Sequence, residues 1–449
     1  MPVSSPVASL NNKLAVFALA MGLTYGYDGT AMAGALLQVT SHFNLGTAQQ
    51  GTLFAAAAFG MIAGAVLGGR LANGLGRRVT LIGLALLYTG AALTAATSQT
   101  LIWLDGARFV QGTAIGISIV VAPIFIAESA TTQARGRIAV LYQVATAFGA
   151  AGGYFGGYLL GGGGHWRIML IIPGLIAVLA ALTLLPLPEP ARWKEAQQTV
   201  PPGSRDGAAA GSQSATRTLK TMISVRYRTL TFFVIVLGFF VQATGVNAME
   251  YFSPRIFEHM GYTDSFGLLI LPGTVQLAGG AAAFTCAMAI DRVGRRPALL
   301  TGTALMAAGH ALMVAVFADA LPEATGFVGL TVFTIGFNAG FGSLVWIFAA
   351  EGFPPRLRSV GASAMLLTNL TTNLLIAQFF LGLLTAAGGT ITYLLLLAIT
   401  IAAWLFVFFL APETKNRSLE EVQGYWENGR SWLASTPLKT HPDRVPAEE

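Results

Sequence analysis

The sequence predicts an all-α membrane protein with twelve transmembrane helices in two pseudo-symmetric six-helix bundles. Three observations carry this. First, 54% of its 449 residues are hydrophobic and only 10% are charged. A soluble domain carries roughly 25% charged residues, so lipid must be the solvent for much of this chain. Second, the apolar residues gather in stretches long enough to span a bilayer, about 20 residues each. Third, short charged motifs between these stretches recur in the second half in the same order.

The spans are expected at 13–36, 49–71, 79–97, 100–126, 137–161, 166–187, 227–257, 265–290, 297–318, 325–350, 359–385 and 390–411. The first runs too long for the apolar region of a cleaved signal and reads as span 1. The 26 Lys and Arg sort by side. With the N-terminus inside, Arg167 and Arg255 fall outside, Arg108 falls within span 4, and the others lie inside. This asymmetry predicts both termini in the cytoplasm of a multi-pass plasma (inner) membrane protein. It also explains the net charge of +6 without nucleic acid, since the basic loops face anionic lipid. Four regions follow: a bundle over 1–187, a cytoplasmic linker over 188–225, a second bundle over 226–411 and a partly ordered tail over 412–449. The single Cys286 excludes an intramolecular disulfide and a Cys-cluster metal site. No Walker A or His-Glu-x-x-His motif is present. No metal, cofactor or enzyme activity is expected.

The repeat is written in charge. Gly-Arg-Arg closes "GRLANGLGRR" (69–78) after span 2 and "AMAIDRVGRR" (287–296) after span 8, 218 residues apart. "ESATTQAR" (128–135) and "EGFPPRLR" (351–358) each place Glu seven residues before Arg, 223 apart. "PEPAR" (188–192) and "PETKN" (412–416) place their Glu 224 apart. Tandem six-span halves make a transporter architecture, with substrate near the midplane between them. Arg77, Arg78, Glu128, Arg135 and Glu189 of the first half, with Asp291, Arg295, Arg296, Glu351, Arg358 and Glu413 of the second, form a candidate cytoplasmic gate of ion pairs. Single arginines of such a set could equally anchor loops at lipid headgroups. Rows of small residues, Gly60–Gly64–Gly68 and Gly149–Gly153–Gly157–Gly161, each lie on one helix face. They fit either static close packing or helices that rock against each other.

Together, "GYD" in span 1, "GRLANGLGRR", "PIFIAESATTQARGR", "PEPARW", "QATGVNAMEYFSP", "DRVGRR" and "PETKNRSLEEV" resemble the sugar porter family of the major facilitator superfamily, along nearly the whole chain. The resemblance implies alternating access by rocking halves and a sugar or polyol substrate; a monomer is expected as the working unit.

Asp28 is the carboxylate that span 1 places in an apolar run, and Arg108 is the only Lys or Arg well inside a span. Beside Arg108, Asp28 stays ionised; parted from it, burial favours the neutral acid. Such a pair links protonation to shape, with the proton as coupling ion, and it is similar to the Asp and Arg of proton-coupled sugar porters. A fixed ion pair locking two helices is the plainer reading, and Asp105 is a competing partner. The resemblance carries Gln143, Gln242, Asn247, Trp346, Asn369 and Asn373 onto sugar-contacting positions, where amides match hydroxyls that both donate and accept. Intramembrane amides also glue helices together. Tyr251 and Phe252 are expected to form part of an outer lid where span 7 breaks near Pro254, with Tyr251 and Gln276 also candidates for the cavity edge.

The chain departs from the family in places. Val241 stands where a Gln is usual, Gly279 where an Asn is expected, with Gln276 nearby, and Asn73 replaces an Asp. Glu250 is unusual in span 7, either at the cavity edge or facing outer water. His310, alone in span 9, reads as packed or helix-bonding. Proton–sugar symport is the leading expectation. Uniport, symport of another small metabolite such as an aromatic or organic acid, and a non-transporting sugar sensor are its alternatives.

Overall fold

Long apolar runs become helices because a backbone in lipid must satisfy its own hydrogen bonds. The computed structural model describes residues 6–161, 164–191, 193, 221–224 and 226–432. The first half contains α1 (Pro6–Phe43), α2 (Thr47–Leu75), α3 (Arg77–Thr97), α4 (Leu101–Ser129), α5 (Thr132–Gly161) and α6 (Trp166–Leu184). The second contains α7 (Arg228–Ala243), α8 (Val246–Tyr251), α9 (Ser253–His259), a π-helical turn (Phe266–Ile270) leading into α10 (Leu271–Val293), α11 (Arg295–Phe317), α12 (Ala324–Ala339), α13 (Phe341–Gly352), α14 (Pro355–Leu410) and the short α15 (Leu419–Glu427). Most of the linker, 194–220, lies outside the described residues.

Among the described residues, ten helices are long and apolar enough to cross a membrane. The last holds two crossings, because Gly388 (φ 77°) turns the chain back within α14. α1 is not among the ten, since its middle carries the polar run Thr24 to Thr30 around Asp28, yet its 38 residues make it the first of twelve crossings. Two spans differ from the sequence expectation. Span 7 breaks twice, at Gly245 (φ 92°) and at Phe252, rather than only near Pro254. Span 10 is interrupted at Gly340, separating α12 from α13.

Within the first half, α1 packs on α5, α2 on α4 and α3 on α6; in the second, α11 packs on α12 and α14, and α7 on α14. Two seams join the halves, α2 with α14 and α5 with α10. The glycine rows face partners inside the first half. A Cβ on Gly60 or Gly64 would come within 2.1 or 2.2 Å of the carbonyl oxygens of Phe109 and Thr113 on α4. Gly149, Gly153 and Gly157 meet Leu23, Thr30 and Gly34 of α1 in the same way. Both rows therefore pack spans of one half together, and neither lies where the halves meet.

The Pro-Glu motifs have a task that the sequence did not disclose. Glu189 accepts from the backbone N–H of Arg78 (3.1 Å) and Val79 (3.0 Å), the exposed donors at the start of α3. Glu413 accepts from the N–H of Arg295 and Arg296, both 3.1 Å, at the start of α11. Each carboxylate thus sits on the positive end of a helix more than a hundred residues away. The residue before each helix is Gly76 (φ 101°) or Gly294 (φ 100°), where a Cβ would meet the Glu oxygens at 2.5 or 2.7 Å. Arg78 donates to the carbonyls of Leu184 (2.9 Å) and Leu185 (2.6 Å), and Arg296 to Phe408 (2.7 Å), at the ends of α6 and α14. The duplication is thereby repeated in three dimensions. Arg77 pairs with Glu128 at 3.3 Å. All these contacts tie spans within a half. The side chains of Arg135 and Asp291 lie outside the described residues.

The tail is described as far as residue 432, and 433–449 lie outside the described residues. Ser418 and Glu421 form a reciprocal capping box at the start of α15. Trp426, 3% exposed, packs on Phe233 with ring centroids 5.0 Å apart. Glu427 pairs with Arg226 and accepts from Tyr227 Oη at 2.8 Å. The Arg226 hydrogen bond holds the Glu427 carboxyl below its ordinary value. A depressed carboxylate contributes stability above its unfolded pKa and loses it as pH falls through the folded one. Protection factors over 419–427, corrected for the intrinsic pH dependence of amide exchange, should therefore fall on acidification, and Glu427→Gln should show the lower protection already at neutral pH. Protection indifferent to both changes would contradict this docking.

Candidate functional site

α1 brings Asp28 to the middle of the first half, and α4 brings Arg108 to meet it. Arg108 Nη1 donates to Asp28 Oδ1 at 2.8 Å, with both side chains almost fully buried. Tyr88 Oη of α3 donates to the same oxygen at 2.5 Å, and Arg108 Nη1 also reaches Gln111 Oε1 at 3.0 Å. The expected pair is present. Asp105 is not the partner of Arg108. Tyr88 carried no signal in the sequence, whereas Gln111 is a polar residue one helical turn after Arg108 and so on its face of α4.

This pair opens on a space between the halves, lined by Tyr25, Asp28, Arg108, Asn247, Glu250 and Tyr251, among others. A second space, sharing Tyr25 and Ile115, extends into the first half beside Tyr88 and Tyr142. Tyr251 is the centre of the polar wall. Its hydroxyl accepts from Asn247 and Asn373, each at 3.3 Å, and its ring stacks on Phe54 of α2 at 4.8 Å. Gln242 donates to Asn369 at 3.3 Å. Gln242 Oε1, Asn369 Nδ2 and Asn373 Oδ1 are buried without a hydrogen-bond partner among the described residues. Unpaired buried polar atoms cost roughly 1–3 kcal/mol each, so three on neighbouring side chains favour a polar visitor.

The other expected residues are placed differently. Gln143 is exposed on α5, Trp346 is 39% exposed on α13, and Gln276 is half-buried on α10. None of the three lines the space beside Asp28, and neither do Gln242, Asn369 and Asn373; of the expected amides Asn247 alone does. Glu250 does line it, so of the two readings of this residue the cavity edge holds rather than outer water. At Gly279, Thr334 and Asn338 of α12 fill the room a side chain would take. Asn338 Nδ2 lies 2.7 Å from where a Cβ would stand, so an amide reaches this place from span 10 instead of span 8. His310 is buried and its Nε2 donates to the carbonyl of Thr244 at 3.0 Å, satisfying a group freed by the break in span 7.

The halves are held together at the end opposite the Gly-Arg-Arg loops. There Arg255 donates to Gln50 at 3.1 Å, Gln378 to the Ala48 carbonyl at 3.3 Å, Thr52 to Gln378 at 3.4 Å, and Tyr154 to the Glu250 carbonyl.

The family model described as sugar (and other) transporter matches residues 14–426. The chain belongs to this family. Among relatives, the arabinose-proton symporter of Escherichia coli K12 is 29% identical over 440 residues, covering 92% of this chain and 93% of that protein. The galactose-proton symporter of the same organism is 28% identical over 430 residues, covering 91% and 93%. Among solved structures, an inward-open xylose transporter XylE from E. coli superposes with a TM-score of 0.78 at 22% identity, covering 93% of this chain and all of that one. A crystal structure of a D-xylose-proton symporter gives 0.77, also at 22% identity, covering 91% of this chain and 99% of that one. These superpositions establish that this family member has the major facilitator fold with its twelve helices. It is a multi-pass transporter of the cell membrane and not an enzyme.

Proposed function

We propose that this protein is a proton-coupled symporter of a monosaccharide or polyol, working by alternating access with both termini in the cytoplasm. One observation carries the reading: the buried Asp28–Arg108 pair opens directly onto the cavity lined by Asn247 and Tyr251, whose hydroxyl in turn accepts from Asn373. Arg108 does not release its proton in practice, whereas Asp28 can take one. A proton on Asp28 removes half of a buried ion pair, so its arrival changes which arrangement of the helices is favoured. The unpaired atoms of Gln242, Asn369 and Asn373 suit hydroxyls that donate and accept together. An organic acid fits less well, because its carboxylate would face both Asp28 and Glu250. Relatives named as arabinose and galactose symporters support the sugar class. With the cross-half bonds at the end opposite the basic loops, this structure corresponds to an outward-closed state in the proposed orientation. The ionic contacts at the basic end then act as the cytoplasmic gate by shaping each half's rim.

Uptake into proteoliposomes with and without an imposed pH gradient tests the coupling. Accumulation only with the gradient is expected, and equal uptake in both would leave uniport. Counterflow of labelled sugar separates a carrier from a sensor. Asn373→Ala should raise the half-saturating sugar concentration in counterflow roughly tenfold, the loss of about one hydrogen bond. An unchanged value would remove Asn373 from the site.

A further inference from the structure

We infer that Glu250 is a second proton-binding site, set where the halves meet, and that it must carry a proton for that end of the cavity to close. This rests on the alternating-access reading above and adds a site to it. Glu250 stands on α8, the six-residue helix between the two breaks of span 7. Its Oε1 lies 3.3 Å from where a Cβ on Gly29 would be, so its carboxylate sits against the neighbour of Asp28, across the boundary between the halves. Its own backbone carbonyl receives the Tyr154 hydroxyl from α5, and the adjoining Tyr251 stacks on Phe54 of α2. Closure at this end therefore carries the Glu250 carboxylate inward with α8.

The charges facing it do not balance. From α1 come Asp28 and Tyr25, from α4 Arg108, from α5 Tyr154, and from its own helix Tyr251. Arg108 is already engaged by Asp28. An ionised Glu250 would leave one net negative charge in a space within the membrane whose one lining cation, Arg108, is already paired, opposed by a second carboxylate. Such a charge is costly at membrane depth unless paired, and a bound proton removes it. With the carboxylate ionised, repulsion between Glu250 and Asp28 acts across the boundary and favours separation of the halves at this end.

The test reads the gate without cargo. Spin labels at Ser41→Cys and Thr263→Cys, on exposed positions of the two halves at this end, are placed in a Cys286→Ser background, and their separation is measured across the neutral pH range. The unaltered Glu250 should give short distances at acid pH and a growing long population as pH rises. Glu250→Gln should stay short throughout, and Glu250→Asp should keep a pH-dependent transition, which guards against a Gln variant that misfolds. A Glu250→Gln gate that still opens with pH, or an unaltered protein whose gate ignores pH, overturns the inference. Because no sugar is present, failure of sugar symport leaves this readout intact, and intact symport does not rescue it.

Discussion

Asp28→Asn is expected to abolish accumulation of sugar against its gradient while counterflow persists. Proton entry contributes about 2.3 kcal/mol per charge per 100 mV of membrane potential. At about 1.4 kcal/mol per tenfold, this supports roughly a fortyfold concentration ratio, which should collapse to unity without the acid. The reason is local. Asp28 Oδ1 receives Arg108 and Tyr88, and neither of those partners takes up a proton in its place. Exchange needs the cavity and the rocking halves but no net proton flow. Removing one member of a buried pair typically costs about 3–5 kcal/mol, so the variant must first be shown to be folded and monodisperse. Equal loss of accumulation and counterflow in a folded variant would assign Asp28 to structure alone.

Gly112→Ala should be among the most destabilising single-methyl changes in the first half. A Cβ at Gly112 would lie 2.0 Å from the Ala57 carbonyl oxygen and 2.7 Å from its carbon, both backbone atoms of α2. No rotamer relieves that clash; α2 and α4 must separate. Overpacking costs about 1–3 kcal/mol, occasionally more, and a collision with backbone belongs at the upper end. Gly106→Ala, on the same helix, meets nothing within 4 Å and should be neutral or gain up to about 1 kcal/mol from helix propensity. Thermal unfolding in detergent compares the two directly. Equal melting temperatures would mean the seam between α2 and α4 is looser than these distances require.

Much of the site was legible in the sequence because its elements are rare. One acid in the first span and one guanidinium well inside a span had few other partners to find, and they pair. Gln242 meets Asn369, and Asn247 and Asn373 meet at Tyr251, contacts that the motif resemblance did not specify. Gln143 and Trp346 came from the same resemblance, and like Gln242, Asn369 and Asn373 they do not line the space beside Asp28. Rotation of a helix about its axis is invisible to a motif. Glu250 shows the same limit, since its spacing from Asn247 allowed either face, and the double break of span 7 turned it inward. The glycine rows were visible as rows, but which helix they met was not.

The sequence by itself determined the solvent, the twelve crossings, the duplication and the presence of a titratable acid among apolar neighbours. These properties reside in composition, run length and periodicity, which act over a few turns of helix. The tertiary structure alone decided that Tyr88 joins Asp28, that Glu189 and Glu413 sit on the starts of α3 and α11, and that Glu250 faces the neighbour of Asp28 across the halves. Those contacts join residues 60 to more than 200 positions apart, and no local rule of chain geometry specifies a partner at that distance.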